Sequence, residues 1–169
     1  MRADCHMHTY FSGDSEAKPE DMVLAAIDKG LEAICFTDHE DIDYFCDDIE
    51  FVFDPEAYFK ELGALKEKYK EKLDIRIGVE FGLQPHLAKK AKAFTAANPY
   101  DFVIGSMHVV GGKDPYYPEF FEGISDEEAY RMALRETIAD IRAVADFDVL
   151  GHLAVSYTHL RAHETLSDL

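Results

Sequence analysis

Basic residues are scarce: 17 Lys and Arg stand against 34 Asp and Glu, for a formal net charge of −17 at pH 7. Such a surface repels polyanions, which argues against a general nucleic-acid or anionic-membrane binder. Cysteine is scarcer, and Cys5, Cys35 and Cys46 form no CxxC pair. Neither a disulfide scaffold nor a zinc ribbon is indicated. No apolar run approaches the roughly 18 residues of a membrane span. Met1 to His6 open on no apolar signal stretch, so a cytoplasmic location is expected. The glycine patterns GxGxxG, GxxxxGKS/T and GxSxG are also missing, and with them the signatures of dinucleotide, P-loop and serine-hydrolase sites.

What is present is enough for one folded domain, since 47% of the 169 residues are hydrophobic and 12% aromatic. Short apolar runs alternate with helical patterns. The strand-like runs are Arg2–His6, Ala33–Thr37, Ile75–Val79, Phe102–Gly105 and Phe147–Leu150. Between them, Pro19 opens a helix that Gly30 closes, and Asp54-Pro55 opens a second that reaches about Lys72. Pro85 precedes a third that Asn98-Pro99 stops, and Ser125-x-x-Glu128 forms a capping box for a fourth reaching about Ala145. This alternation predicts parallel βαβ units with right-handed crossovers, an α/β fold of about five units. Whether the sheet stays open or curls is not encoded in periodicity. Lys66, Lys68, Lys70 and Lys72 interleave with Glu67 and Glu71 as a solvated helix face. In the acidic stretch Glu40 to Glu56, Tyr44, Phe45, Phe51 and Phe53 are expected to pack partly as a lid.

The histidines fall where such folds keep their chemistry, at the carboxyl ends of the strands. His6 and His8 end the first run, with Asp14 in the loop beyond. Asp38-His39 follows the second, Glu80 the third, His108 the fourth and His152 the fifth. A His-x-His pair in extended chain directs both rings to one side. A single histidine at a strand end is usually structural, but five successive ends carrying metal-type side chains point to a metal site. Nitrogen and oxygen donors without thiolate suit Zn²⁺, Mn²⁺ or Fe²⁺ better than Ca²⁺.

In order along the chain, Asp4-Cys5-His6-Met7-His8-Thr9, Phe11-Ser12-Gly13-Asp14-Ser15, Phe36-Thr37-Asp38-His39, Gly78-Val79-Glu80, Gly105-Ser106-Met107-His108 and Gly151-His152-Leu153 resemble the polymerase-and-histidinol-phosphatase (PHP) family. The histidinol-phosphate phosphatase branch is the most similar. The resemblance implies a distorted (β/α)₇ TIM-like barrel with up to three divalent ions at its mouth. It further implies hydrolysis of L-histidinol phosphate to L-histidinol and phosphate in histidine biosynthesis. By motif, one ion falls to His6, His8 and Glu80, a second to Asp14 and His39, and a third to Glu80, His108 and His152. Glu80, His39 and Asp38 are assigned to the chemistry, with Asp38 as the orienting partner of His39; Gln84 and His86 are assigned to the substrate pocket. Another PHP phosphoesterase, acting on nucleotides or phosphoproteins, and a non-catalytic metal-binding fragment are the alternatives. The oligomeric state stays open.

After Leu153 the family pattern stops. Ala154-Val155-Ser156-Tyr157-Thr158-His159-Leu160-Arg161-Ala162-His163-Glu164-Thr165 resembles the translation of a transposase-type sequencing-library adapter. Residues 1–153 are therefore expected to be an unfinished catalytic domain and 154–169 a non-native read-through tail. On that view His159 and His163 are not ligands.

Overall fold

The computed structural model describes residues 2–44 and 51–152; the tail expected at 154–169, together with Phe45 and Cys46, lies outside them. The elements run β1 (Ala3–Asp4), α1 (Pro19–Asp28), β2 (Ala33–Phe36), β3 (His39–Glu40), α2 (Pro55–Tyr69), β4 (Asp74–Gly82), α3 (Ala88–Ala97), β5 (Phe102–Ser106), α4 (Asp126–Ala143) and β6 (Val149–Gly151). Single 3₁₀ turns occupy Pro85–Leu87 and Pro118–Phe120. None of these helices is long and apolar enough to cross a membrane.

Local signals account for the helix ends. Pro19 and Pro55 sit at the first helical positions, where the missing N–H costs nothing. Asp54 accepts a hydrogen bond from the Glu56 N–H, and Ser125 accepts one from the Glu128 N–H. Gly30 ends α1 at φ 68°, a backbone that side chains other than glycine adopt with strain. Along α2, Tyr58, Leu62, Leu65 and Tyr69 repeat at helical spacing and are buried. They pack with Val23 and Ala26 of α1 on Ile34, Phe36, Ile75 and Ile77 of the sheet.

Every strand pairing is parallel. The spatial order β1-β2-β4-β5-β6 follows chain order, with β3 continuing beside β4 where β2 stops. A doubly wound sheet reverses order at a switch point; this one does not, so right-handed crossovers put all helices on one face. The other face must curl inward. His6 and His152, just beyond the two edge strands, have ring centroids 5.4 Å apart. Four strand spacings laid flat would separate them by about 19 Å. The expected α/β class thus resolves into a strongly curled half-barrel with its strand ends gathered at one mouth. Val149 of β6 and the α4 side chains Leu134, Ile138 and Ile141 stay exposed.

Candidate metal centre

Glu80 sits in the central strand β4, fully buried. Gly78 and Gly82 share its face of the strand, where neither adds a side chain. Its Oε2 lies 3.3 Å from His6 Nε2, 3.1 Å from His8 Nε2 and 3.3 Å from His39 Nδ1. Its Oε1 lies 3.3 Å from His108 Nε2 and 2.8 Å from His152 Nε2. The Ser106 hydroxyl also donates to Oε1, at 2.6 Å. Asp14 Oδ2 completes the outer side, 3.1 Å from His8 Nδ1 and 3.5 Å from His39 Nε2. Side chains from after β1, from β3, and from after β5 and β6 therefore converge on the one carboxylate of β4. His152 reaches it from a left-handed backbone, φ 57°, the sort of strain that clusters at functional sites.

These donors fit a cation better than they fit one another. His39 Nδ1, Glu80 Oε2, His108 Nε2 and His152 Nε2 are buried without a hydrogen bond although oppositely polar atoms face them. His6 Nε2 and His8 Nε2 point at each other from 3.1 Å, two like groups aimed at one spot. Three-residue sets His6/His8/Glu80, His8/Asp14/His39, His39/Asp41/His108 and Glu80/His108/His152 each hold their ligand atoms within 4.8 Å. Burial alone would lower the His8 pKa, but Asp14 and Glu80 outweigh it and raise it to about 9. Burial would likewise raise Glu80, yet His108, His152, His6 and His8 hold it far below the usual carboxylate range. Asp14 is lowered by His39 and His8.

All seven residues expected as metal ligands, His6, His8, Asp14, His39, Glu80, His108 and His152, thus meet at this mouth. Three other assigned residues have partners other than those expected. Asp38 does not orient His39: its Oδ1 accepts from the Thr9 N–H at 2.5 Å and from the Thr9 and Ser12 hydroxyls at 2.9 Å. It pins the loop that carries His8 and Asp14. The carboxylate that reaches the imidazoles is that of Asp41, whose Oδ2 lies 3.3 Å from His39 Nδ1 and 2.9 Å from His108 Nδ1. Gln84 donates to the Ile42 and Asp43 carbonyls and His86 lies 3.2 Å from the Asp43 carboxylate; neither lines the cleft beside the cluster. Asp41 and Ser106 were missed from sequence, although each stands two residues from a histidine, the spacing that shares a strand face.

Beside the cluster opens a cleft of about 450 Å³, walled by Tyr44, Phe51, Asp114, Tyr116 and Tyr117. Tyr44 donates to Asp114 at 2.6 Å. Of the aromatic residues in the 40–56 stretch, Tyr44 and Phe51 line this cleft. Phe53 instead packs on Tyr58.

A curled parallel α/β sheet with a histidine–carboxylate cluster at its carboxyl mouth defines a class of metal-type barrel proteins. The PHP domain model matches residues 4–167, and the chain belongs to that family. It is 35% identical over 153 residues to a histidinol-phosphatase of Lactococcus lactis subsp. lactis, covering 90% of this chain and 56% of the relative. It is 32% identical to a probable histidinol-phosphatase of Clostridium acetobutylicum, over 90% and 57% of the two chains. The crystal structure of the Lactococcus lactis histidinol phosphate phosphatase, complexed with zinc, L-histidinol and phosphate, superposes with a TM-score of 0.87 at 34% identity, covering 93% of this chain and 59% of that one. The chain thus spans between half and two thirds of the length of these relatives.

Proposed function

We propose that the chain carries the metal-binding half of a cytoplasmic phosphomonoester hydrolase that converts L-histidinol phosphate to L-histidinol and phosphate in histidine biosynthesis. The observation that carries this reading is the buried Glu80 carboxylate, both of whose oxygens face imidazoles from every side of the mouth. The similarity to relatives named for this activity supports the substrate. His6, His8 and Glu80 would hold one ion, Asp14 and His39 a second, and Glu80, His108 and His152 a third, with Zn²⁺, Mn²⁺ or Fe²⁺ as candidates. Bound there, divalent ions would lower the pKa of a water and neutralise phosphoryl oxygens.

The chain's own residues set the conditions. Glu80, held ionised, concentrates cations at one point of a strongly acidic protein and so creates a place where a phosphate dianion is tolerated. Asp38 keeps the 9–12 loop in place, and with it His8 and Asp14. Tyr44, Phe51 and Tyr117 give the cleft an apolar wall for the organic part of a small monoester, and Asp114 adds an anionic group there.

Phosphate release from histidinol phosphate, measured beside nucleoside monophosphates and a phosphopeptide with Zn²⁺ or Mn²⁺ added, tests the reading. Preference for histidinol phosphate by the product of the intact gene is expected, with the 169-residue chain impaired. Equal turnover on the other esters would overturn the substrate assignment, and absence of turnover with metal bound would favour a non-catalytic fragment. The proposal extends to the tail: although the family match runs to residue 167, residues 154–169 would be read-through, and sequencing the locus from intact genomic DNA should show a different codon order after Leu153.

A further inference from the structure

Asp41 follows β3 and is almost wholly buried, its side chain 5% exposed. Both its oxygens lie 2.9 Å from His108 Nδ1. A carboxylate only accepts, so Nδ1 carries the proton and donates. The other nitrogen, Nε2, faces Glu80 Oε1 from 3.3 Å without a hydrogen bond. The same Asp41 carboxylate faces His39 Nδ1, and the His39 and His108 rings stand 4.9 Å apart. The backbone fixes its place as well, since the Asp41 N–H donates to the Phe51 carbonyl at 2.6 Å. A second feature was built around it. Gly82, at the end of β4, leaves open the space the carboxylate fills, for a Cβ there would come within 2.2 Å of Asp41 Oδ1.

We propose that Asp41 is a positioning residue that locks His108 in the tautomer and orientation needed to bind a divalent cation through Nε2, and that Gly82 is glycine to admit it. The inference rests on the metal-centre reading above and deepens it. Because the carboxylate also touches His39, it links the ion position of His108 and His152 to that of Asp14 and His39, while the His6/His8 position lies outside its reach. Orienting carboxylates of this kind contribute about 10–100-fold to metal affinity.

Zn²⁺ binding to the 169-residue chain, measured by equilibrium dialysis and by competition with a chromophoric chelator, tests this without any assay of turnover. The set is the unaltered protein, D41A, D41N, G82A, H108A and the D41A/H108A pair. D41A should weaken the ion at His108 by about 10–100-fold and leave an ion at His6/His8 in place; G82A should do the same by displacing the carboxylate. In the H108A background, removing Asp41 should add little, because Asp41 acts through that ring. D41N preserves size and one acceptor, so it answers the question with a smaller loss should D41A fail to fold. Unchanged Zn²⁺ affinity in D41A and D41N, or full additivity in the pair, overturns the role given to Asp41. An unaltered protein that binds no Zn²⁺ overturns instead the metal-centre reading on which it rests.

Discussion

Replacing Glu80 by glutamine keeps the shape of the side chain and removes its charge. In the native protein that charge is fully buried and balances imidazoles at 2.8–3.3 Å on both oxygens. Breaking a buried charge pair by deleting one partner costs about 3–5 kcal/mol, because the other partner is left uncompensated. For a domain of this size each kcal/mol moves the melting temperature by roughly 2–4 °C. E80Q in the metal-free protein should therefore melt about 6–20 °C lower. Metal should widen the gap: the amide cannot serve as an anionic bridge, so the variant should retain fewer ions than the parent. Circular dichroism melts in EDTA and in Zn²⁺, with metal content measured by mass spectrometry, give both quantities. A shift under about 2 °C together with unaltered Zn²⁺ content would refute the claim that Glu80 organises the site.

Three further outcomes follow from other contacts. Tyr58 is buried and its hydroxyl donates to the Gly78 carbonyl at 3.1 Å, so Y58F should cost about 1–2 kcal/mol, read as the urea midpoint. H86A should leave metal content and phosphate release unaltered, since His86 engages only the exposed Asp43; a large loss of activity would return it to the pocket. Asp140 is buried in α4 with neither oxygen hydrogen-bonded, and burial, then Glu136, raises its pKa to about 7. A group bound more tightly to its proton when folded stabilises least once ionised. The parent should therefore lose stability relative to D140N between about pH 4 and 7, by at most about 1.4 kcal/mol per pH unit, and no further above. Paired urea titrations across that range check the sign.

Much of this was legible because it is local. Pro19, Asp54-Pro55 and Ser125 announce helix starts through their own backbone chemistry, and the strands' carboxyl ends could be counted from apolar runs alone. His6, His8, His39, Glu80, His108 and His152 were found because each lies at such an end. The curl of the sheet was not legible, since it depends on the order of strands in space, which parallel pairing alone does not reveal. The exchange of Asp38 for Asp41 has a similar cause. The strand breaks at Thr37–Asp38 and resumes as β3, so the face each acid occupies is decided by an interruption that composition does not mark. Gln84 and His86 follow a strand end too, but the chain turns at Pro85 toward Ile42 and Asp43.

The meeting of His6 and His152 bears also on how the fold is assembled. The ion on His6 and the ion on His152, joined through Glu80, would together form a reversible cross-link between the first and last strands of the described chain, closing a loop of well over a hundred residues. Cross-links across loops of that length restrict the unfolded chain by several kcal/mol. A half-formed sheet lacking either edge could not bring both rings to Glu80, so the pair of cations would stabilise only the completed curl. In this protein the centre would act as a check on the fold as well as a place for chemistry.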